Sequence, residues 1–193
     1  MRAEIAAAAA RIMAEDGIDN FALAKRKAAR SLGASQTEAL PANDEIEAEL
    51  RAYLALYQAE EHPQRVAELR EVALDAMRAL ERFHPYLTGP VLKGTAGPYA
   101  DIDLQLFPES AKEIELFLLE RGIVFETQET RRYSGDRVHA VSVFNLAWQD
   151  HPLRLSVFDP RDERVALKTS QAGRVMQRAG IAELATLLRD AAA

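Results

Sequence analysis

Residues 101–106, Asp-Ile-Asp-Leu-Gln-Leu, alternate polar and apolar side chains without a break. A period of two puts Asp101, Asp103 and Gln105 on one face of a strand and Ile102, Leu104 and Leu106 on the other. The apolar face needs a core, and the next residues supply one. Ser110 and Glu113 form a capping box that opens a helix from Ala111 to Arg121, and Gly122 stops it. Ile114, Phe117 and Leu118 fall on one side of that helix, ready to cover the sheet opposite the aspartates. A half-buried strand leading directly into an amphipathic helix commits this part of the chain to a sheet with helical cover.

The rest of the chain divides in character at Pro85. Residues 1–84 read as helical throughout. Arg2 to Ala14 is alanine-rich and stops near Gly17; Phe21 to Leu32 is capped by Asn20 or Asp19 and ended by Gly33. A polar linker with Pro41 leads to a third helix, about Asp44 to Glu60. Pro63 suits the first turn of a fourth. The apolar stripes of these helices predict a four-helix core. Residues 85–193 predict strands at about 90–94, 101–107, 123–132, 137–147 and 152–158. Ser134-Gly135-Asp136 and Asp150-His151-Pro152 turn two hairpins. A last helix spans about Ile181 to Leu188. The expected class is α+β: an N-terminal helical region, then a mixed-sheet domain.

Asp101 and Asp103 are the chemical centre of the sequence. Two carboxylates about 7 Å apart on one strand face, near a small-residue turn, can hold a divalent metal. Other chemistry has less support. There is no cysteine, which excludes disulfides, cysteine zinc sites and thiol catalysis. His62, His84, His139 and His151 show no metal-ligand spacing. The net charge of −6 argues against broad coating of nucleic acid. The basic run Lys25-Arg26-Lys27 with Arg30 reads as a solvated helix face. No run of about 18 apolar residues and no signal peptide is evident, so a cytoplasmic protein with no membrane partner is expected.

The run Leu92-Lys93-Gly94-Thr95-Ala96-Gly97-Pro98-Tyr99-Ala100-Asp101-Ile102-Asp103-Leu104 resembles the signature of the nucleotidyltransferase superfamily, the DNA-polymerase-β-like fold. That signature is a hydrophobic residue, Gly, then Gly or Ser, a loop, and Asp-hydrophobic-Asp. The segments IAAAAARIMAEDGIDNFALAKRKAARSLG, YLTGPVLKGTAG and LQLFPESAKEIELFLLERGI are similar to an uncharacterised proteobacterial branch with a helical N-terminal region. The resemblance covers roughly residues 89–160 and implies a metal-dependent nucleotidyltransferase. Asp101 and Asp103 would bind Mg2+ (or Mn2+). Gly94 and Thr95 would cradle the phosphates of a nucleoside triphosphate, with Lys93 beside them. The acceptor would be a hydroxyl of RNA, protein or a small molecule.

The chain departs from the pattern in two places. The loop from Thr95 to Asp101 is short and contains Gly97-Pro98. Ser156 stands where the family carries its third carboxylate, so Asp159, at the end of that strand, is the candidate, with Glu126 and Glu129 behind it. Arg131, Arg132 and Arg154 lie on strands near the open face, where a guanidinium could meet phosphate. Tyr99 could stack on a base, and Lys168 could reach a phosphate. Trp148 reads as a core or lid residue. A catalytically silent relative that binds a nucleotide, nucleic acid or protein partner is the competing expectation.

Overall fold

A computed structural model describes the chain except residues 19, 36, 38, 135, 136, 166, 167, 169–174, 192 and 193. It is an α+β protein in which helices α1 (Arg2–Asp16), α2 (Phe21–Ser31), α3 (Asn43–Tyr57) and α4 (Glu61–Ala79) precede a five-stranded mixed sheet. The sheet segment runs β1 (Tyr86–Thr88), α5 (Gly89–Lys93), β2 (Ile102–Leu106), α6 (Ala111–Glu120), β3 (Phe125–Ser134), β4 (Arg137–Trp148) and β5 (His151–Val157), with α7 (Ile181–Ala191) last. By compactness the chain forms two units: Met1–Val66 with Gly94–Ala100, and Ala67–Lys93 with Asp101–Ala193.

The first unit is a three-helix assembly. Its core is Ile5, Ala9, Met13, Ala24, Ala28, Ile46, Leu50 and Leu54, all from α1, α2 and α3. The small alanines let the helices approach closely. Asn20 caps α2, its side chain accepting from the Leu23 amide at 2.9 Å; Asp19, the other expected cap, lies outside the described residues. At α3 the residue before the helix is Ala42, which has no side-chain acceptor. Only half a capping box forms there: Glu45 accepts from the Ala42 amide at 2.6 Å. The four-helix core expected from sequence is corrected here. Most of α4 belongs to the sheet unit, because its stripe continues past the first unit to Leu80 and Phe83.

In the second unit the strand order is β1-β2-β5-β4-β3. β2 and β5 are parallel, and the other neighbours are antiparallel. Ile102, Leu104, Leu106, Leu153 and Leu155 are buried, as their alternation requires. α6 buries Ile114, Phe117 and Leu118, and Phe117 meets Phe83 edge-on with centroids 5.8 Å apart. Its capping box forms as read from the sequence: Ser110 accepts from the Lys112 amide, and Glu113 from the Ser110 amide, each at 3.2 Å. The β4–β5 hairpin turns on Gln149 and Asp150, both left-handed at φ 47° and 64°, the geometry of a tight two-residue loop. The turn expected at 134–136 involves Gly135 and Asp136, which lie outside the described residues.

The strand expected at 90–94 is a helix. β1 ends at Thr88, Gly89 turns the chain with φ 74°, and α5 begins. Pro90 suits a first helical turn, where its missing N–H is no loss. The C-terminal end of α5 is held by Arg70, whose guanidinium donates to the carbonyls of Val91 at 3.0 Å and Leu92 at 2.7 Å. β1 is an edge strand. Its free side is covered where Leu87 exchanges backbone hydrogen bonds with Ala179 at 2.8 and 2.9 Å.

Candidate functional site

Residues directly opposite each other on paired strands share a face. The register pairs Thr88 with Asp103, Asp103 with Arg154, Arg154 with Asn145, and Asn145 with Glu126. One polar row therefore crosses all five strands. Asp101 precedes Asp103 on the same face. One step further along, Gln105 pairs with Ser156, and Ser156 with Val143. The face carrying the aspartates is thus polar across the width of the sheet at the Asp103 row. It becomes apolar towards Val141, Val143, Phe107 and Phe158, which form a small cluster of their own.

Arg154 sits at the centre of the polar row. Its Nη2 donates to Asp101 Oδ2, and its Nη1 to Asp103 Oδ1 at 3.3 Å. One guanidinium fork therefore holds both carboxylates, a geometry that suits arginine better than lysine. All three side chains keep partial access to solvent, at 38% for Arg154, 32% for Asp101 and 25% for Asp103. The third guanidinium nitrogen, Nε, is buried with no hydrogen-bond partner among the described residues. Gly89 closes the site on the β1 side. A Cβ built there would lie 2.7 Å from Asp103 Oδ2, so the backbone approaches the carboxylate as only glycine allows.

Asp101 and Asp103 are brought together on one face as the alternation requires, but the third acid does not join them. Asp159 is exposed beyond the end of β5 and caps a 3-10 turn, Pro160–Arg164, accepting from the Arg161 amide at 2.8 Å. Ser156, at the expected acid position, is buried beside Gln105 and one step from the aspartate row. Glu126 lies in that row two strands beyond Arg154 and is exposed. Glu129 has the opposite parity. Among the described residues no group of three or more His, Asp or Glu side chains could hold a metal ion.

The donor set does not fit magnesium. Hard cations take clustered oxygen ligands. Here one oxygen of each carboxylate is already engaged by a guanidinium, and the second oxygen of Asp103 faces Gly89.

The other expected ligand-binding residues have different settings. Lys93 is not on a strand; it is the last residue of α5. Gly94 and Thr95 belong to the helical unit. Gly94 is left-handed at φ 75°, and its carbonyl accepts from His62 Nε2 at 2.9 Å. That bond fixes the imidazole tautomer with the proton on Nε2. Thr95 and Ala96 are buried, and Gly97 packs within 3.9 Å of the Gly17 backbone. Small residues in this loop thus serve close packing inside the helical unit. Tyr99 is 78% exposed, with its ring edge against Gly17. Trp148 donates from Nε1 to Asp75 at 2.9 Å. Lys168 bridges Tyr133 through its backbone.

A second polar cluster lies at the far end of β1. Tyr86 donates its hydroxyl to Glu163 Oε1 at 2.8 Å, and His84 Nδ1 lies 3.2 Å from the same oxygen. Burial, followed by the bond to Glu163, pushes the Tyr86 phenol above its ordinary value. Arg178 stacks over the Tyr86 ring at 4.4 Å.

Sequence reasoning named Arg154 only as one of three strand arginines and missed Thr88-Gly89. The signal for Arg154 was its parity in Leu153-Arg154-Leu155-Ser156. That parity becomes a position only once β5 is known to pair with β2 in this register. The signal for Gly89 was the Gly-Pro pair that ends β1.

Compared with protein families, curated proteins and solved structures, the chain matches none significantly.

Proposed function

We propose that this chain is a catalytically silent nucleotidyltransferase-like protein of the cytoplasm, and that its polar sheet face binds a partner instead of a catalytic metal. The reading is carried by Arg154 bridging Asp101 and Asp103. The pair of acids on one face of β2, next to a parallel β5, supports the nucleotidyltransferase-like assignment. Arg154, with no third carboxylate beside the pair among the described residues, supports silence. Charge then ranks the partners. Around Arg154, the carboxylates Asp101, Asp103 and Glu126 outweigh the one guanidinium, which disfavours a polyanion such as a triphosphate or nucleic acid at that point of the face. A protein partner fits best.

One observation favours an active enzyme using a nucleoside triphosphate and magnesium. Arg154, Asp101 and Asp103 are all partly exposed, so a ligand can compete for them. That reading requires Arg154 to release the pair.

Calorimetric titration of the four ribonucleoside triphosphates, with magnesium and with a chelator, separates the two. The silent reading expects no binding heat in either condition. Heat that requires magnesium and vanishes in Asp101→Asn/Asp103→Asn would establish the enzyme reading instead.

A further inference from the structure

We infer that Arg154 is the residue that determines the cation specificity of this sheet face, taking the place a divalent metal would take and keeping such metals off the acid pair. The inference deepens the silent reading, on which it rests for the meaning of the pair. Two carboxylates on one strand face repel each other and need a counter-charge. Arg154 delivers that charge from the neighbouring strand, at the register position directly opposite Asp103. Its fork reaches one oxygen of each acid. A divalent cation would have to displace the guanidinium and leave it, with its buried Nε, beside a second positive charge. A metal competes poorly on those terms, because breaking a partly buried pair leaves an uncompensated charge. Remove the guanidinium, and the same two carboxylates lose the counter-charge that Arg154 supplies and present hard oxygens to a cation.

The probe is Mn2+ alone, followed by the electron paramagnetic resonance of the free ion, on the whole chain. Arg154→Met keeps the length of the side chain and removes its charge; Arg154→Gln serves if the Met variant does not fold. Circular dichroism checks the fold of each. The neutral variant is expected to bind Mn2+ at least about ten-fold more tightly than wild type, since even in water a unit positive charge at contact with a divalent ion repels it by more than a ten-fold change requires. Adding Asp101→Asn and Asp103→Asn to that variant should abolish the gain. Two results would overturn the inference. Wild type could bind Mn2+ as tightly as the neutral variant, in which case Arg154 is no barrier. Alternatively, neither folded neutral variant could bind, in which case the acid pair is not a cation site at all. Nucleotide titration of wild type is a separate readout. Magnesium-dependent nucleotide binding would overturn the silent reading and leave the role of Arg154 to the manganese result.

Discussion

Gly89 shows how much one residue can constrain. Its φ of 74° is a conformation that side chains resist, and Asp103 occupies the space a Cβ would need. Gly122 offers an internal control, because it is left-handed at φ 66° with nothing within 4 Å of its missing Cβ. Gly122→Ala is expected to lose about 1 kcal/mol in urea denaturation, from backbone strain alone. Gly89→Ala should lose more, about 1–3 kcal/mol, because strain and the clash with Asp103 add. Equal losses would mean that Asp103 moves aside freely. This level of detail was only partly legible. The alternation of residues 101–106 placed Asp101 and Asp103 on one face, correctly. It could not place Arg154, because the partner of a strand residue depends on register, and register is set by contacts far apart in sequence.

Elements with several agreeing signals were the readable ones. α6 has a capping box, a helical period and a terminal glycine, and it forms as read. α5 is five residues long, too short to show a period, and Pro-Val-Leu-Lys reads as well for a strand. Its helical state depends on Gly89, Pro90 and the Arg70 guanidinium, which comes from another helix. β1, with three residues, gave no signal of its own. The β4–β5 hairpin is fastened to α4 by one carboxylate. Asp75 Oδ2 accepts from Trp148 Nε1 at 2.9 Å and from Gln149 Nε2 at 2.8 Å. Asp75→Ala should lower stability by about 1 kcal/mol, and Asp75→Asn by less, since the amide oxygen still accepts. Trp148 is the only tryptophan, so its fluorescence reports this unfolding directly. An Asp75→Ala variant as stable as wild type would show that the fastening is incidental. Asn20→Ala should cost about 1 kcal/mol through the lost cap of α2, read by helical circular dichroism.

At the scale of the molecule, the helical unit depends on exposed carboxylates. Arg2 binds Glu45 through Nε and Nη2 at 2.6–3.1 Å. That hydrogen bonding, then the Ala42 amide, holds the Glu45 carboxyl below its ordinary value. Glu15 is lowered likewise, first by the Tyr53 hydroxyl at 2.7 Å and then by Arg11. Both acids bind their proton less readily folded than unfolded. Their contribution is therefore present above the ordinary carboxylate range, about pH 4.3, and is lost as pH falls through the lowered folded values. Helical circular dichroism should show stability falling in that window. Glu45→Gln should flatten the fall, and high salt should weaken it, because the pairs are exposed. An unchanged acid limb in Glu45→Gln would remove Glu45 from the explanation. The fold class was legible because helical and strand periods segregate along the chain. The grouping of α4 with the sheet was not, since an apolar stripe does not say which core it enters. Among the described residues no helix is long and apolar enough to cross a membrane.

We propose that a guanidinium, and not a metal, neutralises Asp101 and Asp103. The most direct measurement is a crystal grown with manganese and a non-hydrolysable nucleoside triphosphate, with diffraction recorded at the manganese edge. The expected result is continuous density from Arg154 to both carboxylates and no anomalous peak beside them. An anomalous peak between Asp101 and Asp103, with Arg154 turned away, would contradict it.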